Sequence, residues 1–175
     1  TIGDNYNKNV RMLYNTPLKN AHYMLDGHFE DPFYYNCNEE LIKSYFNLPS
    51  IIHNTKDIVM HVRVGNFGLR KNILHPSYYH SILNKEKFDR LFIVIEKRDS
   101  YLNEFKKYNP IIISESMSED FHFIRSFDKI ICSNSTFSWW AAFLSDATTI
   151  YTPDKWFVIP LKNCKHSIVI ESQIL

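Results

Sequence analysis

Short apolar runs alternate with amphipathic segments through most of this chain, from residue 57 to residue 170. The runs are rich in Ile and Val and are bounded by polar or turn-forming residues, which is typical of strands buried on both faces of a sheet. We predict strands at residues 58–63, 91–95, 110–114, 129–132, 148–151 and 167–170.

The segments between these strands carry helix signals. Pro76 suits the first turn of a helix, and Asp99 or Ser100 can serve as the N-cap of the next one. We predict helices at residues 76–83, 100–108, 118–127 and 136–144. Strands that alternate with helices form βαβ units, so the predicted fold class is α/β: a Rossmann-like parallel sheet with helices on both faces.

The first 56 residues have a weaker pattern. They are rich in Asn, which indicates irregular structure, with an apolar segment at residues 23–29 and a short helix at residues 39–46. We therefore predict two parts: an N-terminal segment, residues 1–56, and a domain that contains the sheet, residues 57–175.

Composition narrows the classes of function. Lys and Arg number 20 against 19 Asp and Glu, and the basic residues are scattered, so no nucleic-acid partner is expected. Cys37, Cys132 and Cys164 form no CxxC pair, which favours a reducing, cytoplasmic compartment, with Cys132 as a buried apolar residue. No apolar run reaches the roughly 18 residues of a membrane span, so no transmembrane segment is expected, and peripheral membrane contact stays open.

A polar turn joins the strand predicted at residues 129–132 to the helix predicted at residues 136–144. It consists of Ser133, Asn134, Ser135 and Thr136. Such a turn directs backbone N–H groups and hydroxyls to the positive end of the helix dipole, where phosphate binds readily. These residue types are also the usual N-caps, so the turn alone fits either an anion site or a simple cap.

Arg63 and His61 stand at the end of the strand predicted at residues 58–63, on the same strand face. The guanidinium can hold a diphosphate through two parallel hydrogen bonds, and a solvated Arg or an ion pair is the alternative. His61 fits either a core histidine or a hydrogen-bond donor to a ligand. Parallel sheets bind ligands beyond the carboxyl ends of their strands, so we expect both residues to meet the 133–136 turn.

Asp120 lies in the first turn of the helix predicted at residues 118–127. The helix dipole stabilises a carboxylate there, and a carboxylate also suits recognition of a guanine edge. His75 and His80 are five residues apart, the wrong interval for metal ligands on one helical face, and the DxD, P-loop and GxGxxG motifs are absent from the sequence. We therefore expect neither a metal ion nor a bound cofactor.

Residues 133–142, SNSTFSWWAA, resemble a signature of the α-1,2-fucosyltransferases, glycosyltransferase family 11. Residues 61–66, HVRVGN, are similar to the HxRRGD-type donor-binding motif of the larger group that includes this family. A thinner similarity extends from residue 27 to residue 157. The resemblance implies the donor-binding, Rossmann-like half of a GT-B glycosyltransferase, with residues 1–56 as a remnant of the acceptor half.

The activity that the resemblance implies is transfer of L-fucose from GDP-fucose, or of a related sugar from its nucleotide, to a hydroxyl of a glycan acceptor. Transfer would proceed with inversion and without a metal ion. Arg63 would hold the β-phosphate, while His61 and Asp120 would lie by the guanosine. In all, the resemblance assigns donor binding to His61, Arg63, Asp120, Ser133, Asn134, Ser135 and Thr136, and catalysis to Arg63 and Asn66.

Two positions depart from the family's motif. Val64 stands where the family has its second Arg, and Asn66 stands where it has Asp. One cation fewer weakens stabilisation of the leaving group. The alternative function is therefore a non-catalytic module, derived from such an enzyme, that binds a nucleotide sugar or serves as an assembly surface.

Overall fold

The computed structural model describes residues 2–3, 25–26, 39–49, 51, 54–64, 73–156, 159–160 and 167–173. The chain divides into two compact units, residues 1–42 and residues 43–175. In the first unit, β1 (Ile2–Gly3) pairs in parallel with β2 (Leu25–Asp26). Helix α1 (Glu39–Phe46) runs across the division and has the predicted bounds. The predicted boundary after residue 56 and the acceptor-half remnant both stay predictions.

A six-stranded parallel sheet forms the centre of the second unit. Its strands, in chain order, are β3 (Ile58–His61), β4 (Leu91–Val94), β5 (Ile111–Ile113), β6 (Lys129–Ile131), β7 (Thr149–Pro153) and β10 (Ser167–Ile170). Two further short strands, β8 (Lys155–Trp156) and β9 (Ile159–Pro160), pair antiparallel with each other. Each strand of the large sheet overlaps a predicted apolar run, so the predicted α/β Rossmann-like class is confirmed.

Helices cover both faces of the sheet. One face packs against α2 (Pro76–Leu83) and a 3₁₀ helix (Ser100–Tyr108), which contribute buried aromatic side chains such as Tyr78, Tyr79 and Phe105. The other face packs against α3 (Met117–Arg125) and α4 (Thr136–Phe143). Because side chains alternate along a strand, β3 directs Ile58 and Met60 to the first face and Val59 to the second.

The strand order is β10-β7-β6-β3-β4-β5. The chain starts at β3, proceeds outward through β4 and β5, and then returns to the other side of β3 to place β6. This is the doubly wound Rossmann order, in which the connections from β3 and β6 leave in opposite directions and open a crevice at their carboxyl ends. The crevice lies where His61 ends β3 and Ser133 follows β6.

Several predicted bounds need correction. The strand predicted to reach Arg63 ends at His61, so Arg63 lies beyond the sheet, where its side chain is exposed. The helix predicted to begin at residue 118 begins at Met117, because Ser116 and Glu119 form its N-terminal cap. No helix among the described residues is long and apolar enough to span a bilayer.

Candidate functional site

His61 is held at the carboxyl end of β3 by contacts on several sides. Its Nδ1 lies 2.7 Å from the Ser133 hydroxyl oxygen, and its ring packs against Phe137, with 5.3 Å between the ring centroids. Burial and, to a smaller extent, the Arg63 charge lower the pKa of His61 to about 3. The imidazole is therefore neutral at physiological pH, so it cannot bind phosphate as a cation.

Arg63 reaches the same turn from two residues further along the chain. Its guanidinium Nη1 donates to the Ser135 hydroxyl over 3.2 Å. Arg63 is exposed while Ser135 is only 2% exposed, so the hydrogen bond ties a surface cation to a buried hydroxyl. The structure thus brings together two segments that are 72 residues apart, as expected from the topology.

The N-terminus of α4 is open. Its N-cap, Ser135, makes no side-chain capping hydrogen bond, since its hydroxyl accepts from Arg63 instead. Among the described residues, the backbone N–H groups of Thr136, Phe137 and Ser138 have no acceptor. Three N–H donors at the positive end of a helix, with a guanidinium beside them, form a site that suits an anion.

Two buried tyrosines hold the ends of the central strands. The Tyr78 hydroxyl donates to the Cys132 carbonyl oxygen over 2.9 Å, and the Tyr79 hydroxyl donates to the His61 carbonyl oxygen over 3.3 Å. Burial raises the pKa of both hydroxyls well above the ordinary value for tyrosine, so both stay protonated donors. Since carbonyl groups near strand ends lose ladder partners, these hydrogen bonds fix the crevice where β3 and β6 diverge.

Ser138 organises the turn from inside. Its hydroxyl donates to the Ser135 carbonyl oxygen over 3.1 Å and accepts from the Ser133 backbone N–H over 3.3 Å. Ser133, Ser135 and Ser138 are all at most 2% exposed. The turn is therefore a closed hydrogen-bonded loop, and the site's geometry does not depend on a ligand to form it.

Asp120 lies in the first turn of α3 and is 5% exposed. The Glu115 backbone N–H donates to its Oδ1 over 3.1 Å. Burial raises the pKa of Asp120, an effect that the Glu115 hydrogen bond opposes. In the part of the chain that the structure describes, no hydrogen bond joins Asp120 to His61 or Arg63, so its role at a guanine edge stays a prediction.

The other predicted site residues are placed as follows. Asn134 is buried, Thr136 is exposed at the first position of α4, and Asn66 lies outside the described residues. Cys132 is buried, as predicted, and its thiol donates to the Ser138 carbonyl oxygen over 3.5 Å, while Cys37 and Cys164 lie outside the described residues. The described residues contain no cluster of three His, Cys, Asp or Glu side chains able to hold a metal ion. Metal independence stays a prediction.

Sequence reasoning missed three residues that shape the site: Ser138, Tyr78 and Tyr79. A signal existed for Ser138, which lies three residues after the N-cap Ser135 and so faces back to the turn. No sequence signal pointed to Tyr78 and Tyr79, because their hydrogen-bond acceptors are carbonyl groups of distant strands.

The matching family model is that of glycosyl transferase family 11, over residues 93–170. The comparisons with curated proteins and with solved structures found no match. The matched segment contains Asp120 and the whole 133–136 turn, whereas His61 and Arg63 precede it. From β4 to β10 the chain therefore matches glycosyl transferase family 11, as the resemblance in its sequence predicted.

Proposed function

We propose that this protein transfers L-fucose, or a related sugar, from its GDP-linked donor to a hydroxyl of a glycan acceptor, with inversion and without a metal ion. The family match supports a glycosyltransferase-like enzyme. The identity of the donor, the inversion of configuration and the independence from a metal ion are proposed in addition to this match.

One observation carries the proposal. The Arg63 guanidinium and the open N-terminus of α4 meet at the Ser135 hydroxyl, at the crevice between β3 and β6. A diphosphate placed there would receive hydrogen bonds from the guanidinium and from the free N–H groups. Hydrogen bonds to a charged phosphate are stronger than hydrogen bonds between neutral groups.

The chemistry follows from where charge develops. The acceptor hydroxyl attacks C1 of the sugar, the bond from C1 to the β-phosphate oxygen breaks, and the hydroxyl proton is released. Negative charge then grows on the departing GDP. Arg63 and the α4 N–H groups would stabilise that charge, which is how a site without a metal ion can lower the barrier.

Binding of GDP to the purified chain is the first test. We expect GDP to raise the melting temperature and Arg63→Ala to abolish the rise, because free energy of binding adds to stability. Lys85→Ala is the matched control: Lys85 is an exposed cation beyond the end of α2, far along the chain from the turn. If no nucleoside diphosphate changes the melting temperature, the proposed site is wrong.

Turnover is the second test. We expect release of GDP from GDP-fucose only when a glycan acceptor is present, and we expect EDTA to leave the rate unchanged. A rate that falls with EDTA and recovers with a divalent cation would contradict the metal-free mechanism.

A non-catalytic nucleotide-sugar-binding module is the second candidate, and Val64 favours it. Val64 is partly buried and packs against the core cluster on the α2 face of the sheet, to which Val62 belongs. The position of the family's second Arg is thus filled by an apolar side chain that contributes to packing. Binding of GDP without any release of GDP from GDP-sugars would support this candidate.

A further inference from the structure

The hydroxyl network beside His61 restricts the position of its proton. Ser138 Oγ lies 3.1 Å from the Ser135 carbonyl oxygen, and a carbonyl oxygen only accepts. Ser138 therefore donates its one hydroxyl proton to that carbonyl oxygen. Toward Ser133 Oγ, which lies 3.5 Å away, Ser138 can act only as an acceptor.

Ser133 has one hydroxyl proton and two neighbours that could accept it. His61 Nδ1 lies at 2.7 Å, an ordinary hydrogen-bond length, and Ser138 Oγ lies at 3.5 Å, the outer limit. A length of 2.7 Å is typical of a hydroxyl donor and lies at the short end of the range for an N–H donor, so Ser133 donates to Nδ1, which carries no hydrogen. A neutral imidazole has a single N–H, which must then lie on Nε2.

We infer that Ser133 is a positioning residue that fixes His61 as the neutral Nε2–H tautomer, and that His61 binds its ligand by donating a hydrogen bond to an acceptor oxygen. The identity of that ligand, a nucleoside diphosphate, rests on the proposed function, while the tautomer does not. Among the described residues no partner contacts Nε2, and His61 retains 7% exposure.

The surroundings agree with a donor role. Arg63 lies two residues after His61, just beyond β3, and both side chains contact the 133–136 turn, His61 through Ser133 and Arg63 through Ser135. Such a pair suits a ligand rich in acceptor oxygens. A donating Nε2 also cannot remove the proton of an acceptor hydroxyl, which separates His61 from a general base.

The inference changes the role of Ser133. The sequence resemblance assigned Ser133 to binding of the sugar donor. However, Ser133 is 1% exposed and its hydroxyl donates to His61. It acts through His61, whereas Ser135 faces Arg63 and the open end of α4.

The first experiment needs no ligand. The intact chain is labelled with ¹⁵N-histidine, and long-range ¹H–¹⁵N spectra report which ring nitrogen of each histidine is protonated at pH 7. His61→Gln identifies the His61 signals by their loss. We expect the Nε2–H tautomer in the wild type and a mixture of tautomers in Ser133→Ala. An Nδ1–H or doubly protonated His61 would overturn the inference, as would an unchanged tautomer in Ser133→Ala.

The second experiment measures GDP affinity. Gln can place an amide N–H near the position of Nε2, so His61→Gln should bind within about threefold of the wild type and His61→Ala about tenfold more weakly. Equal losses in the two variants would contradict the donor role. If the wild type does not bind GDP, the proposed function fails, and the tautomer in the spectra still decides the role of Ser133. If Ser133→Ala does not fold, the wild-type tautomer decides alone.

Discussion

Helices α3 and α4 pack side by side on one face of the sheet, with 5.7 Å between the ring centroids of Phe121 and Phe137. Each follows a parallel strand through a short turn that ends in a serine N-cap. The cap of α3 is complete. Ser116 accepts from the Glu119 N–H over 3.3 Å, and the Glu119 carboxylate accepts from the Ser116 N–H over 3.1 Å.

The N-terminus of α4 differs in each of these respects. It has no acidic residue in its first turn, and Ser135 makes no capping bond. Its partner is Arg63, from the segment that follows β3 on the other side of the switch point. Among the described residues, the α3 cap satisfies the Glu119 N–H and carries a carboxylate that repels an anion, while the α4 end leaves its first N–H groups without an acceptor and places a cation beside them. Position in the sheet explains the difference, because α4 follows a strand that borders the crevice and α3 follows an edge strand.

The largest effect should come from giving α4 an acidic cap, like the Asp99 cap of the 3₁₀ helix. Ser135→Asp supplies an N-cap and pairs with Arg63, so it should raise the free energy of unfolding by about 0.5–1 kcal/mol and weaken GDP binding at least ~100-fold. Urea unfolding and calorimetry measure the two quantities. Ser116→Asp is the matched control in α3 and should leave GDP affinity unchanged. Tight GDP binding by Ser135→Asp would show that the anion does not bind at α4.

Removal of the cation should have the next largest effect. Arg63→Ala should weaken GDP binding by about 2–3 kcal/mol, or roughly 30- to 150-fold, the value of a charge-assisted hydrogen bond to a phosphate. Because Arg63 is exposed, the free energy of unfolding should change little. Arg63→Lys should recover only part of the loss, since an ammonium group lacks the planar pair of donors. If Arg63→Ala binds GDP with full affinity, Arg63 does not contribute to the α4 site.

Acid should lower the free energy of unfolding through His61, beside the 133–136 turn, and through Glu119, in the α3 cap, over different pH ranges. The pKa of His61 is lowered to about 3, so the unfolded chain takes up a proton that the folded chain rejects. The stability that His61 provides is complete above about pH 6.5 and falls by about 1.4 kcal/mol per pH unit below it. The pKa of Glu119 is lowered by its hydrogen bonds to Ser116, so its contribution is lost only below about pH 4.5.

Urea unfolding at pH 7.5, 6 and 5 should therefore show a slope that His61→Gln reduces. His80, whose pKa is also lowered by burial, contributes a slope that remains in the variant. Asp120 acts in the opposite direction, since burial raises its pKa. An identical slope in wild type and His61→Gln would show that His61 is not buried as a neutral ring.

The smallest effects should come from two alanine substitutions, one of which lowers stability and the other of which weakens GDP binding. Ser116→Ala removes a capping box and should cost about 1 kcal/mol of unfolding free energy without a change in GDP affinity. Ser135→Ala removes no capping bond, so it should cost only a few tenths of a kcal/mol while weakening GDP binding about fivefold through Arg63. The reverse pattern would mean that both serines are simple caps.

Most elements could be predicted from the sequence because each apolar run and each cap is a local signal. Pro76 marked the start of α2, and the apolar runs marked all six strands of the large sheet. The 133–136 turn and Arg63 were recognised by residue type. The roles of the individual serines were not, because they depend on which hydroxyl faces a distant His or Arg.

The sequence by itself determined the alternation of strands and helices, the polar turn after β6 and the placement of His and Arg at the end of β3. These follow from side-chain periodicity, which is written along the chain. The tertiary structure decided that β6 pairs with β3, and hence that Arg63 contacts Ser135 while Ser133 turns to His61. The contact between His61 and Ser133, 72 residues apart, depends on the packing of two helical layers, and local sequence rules do not contain that information.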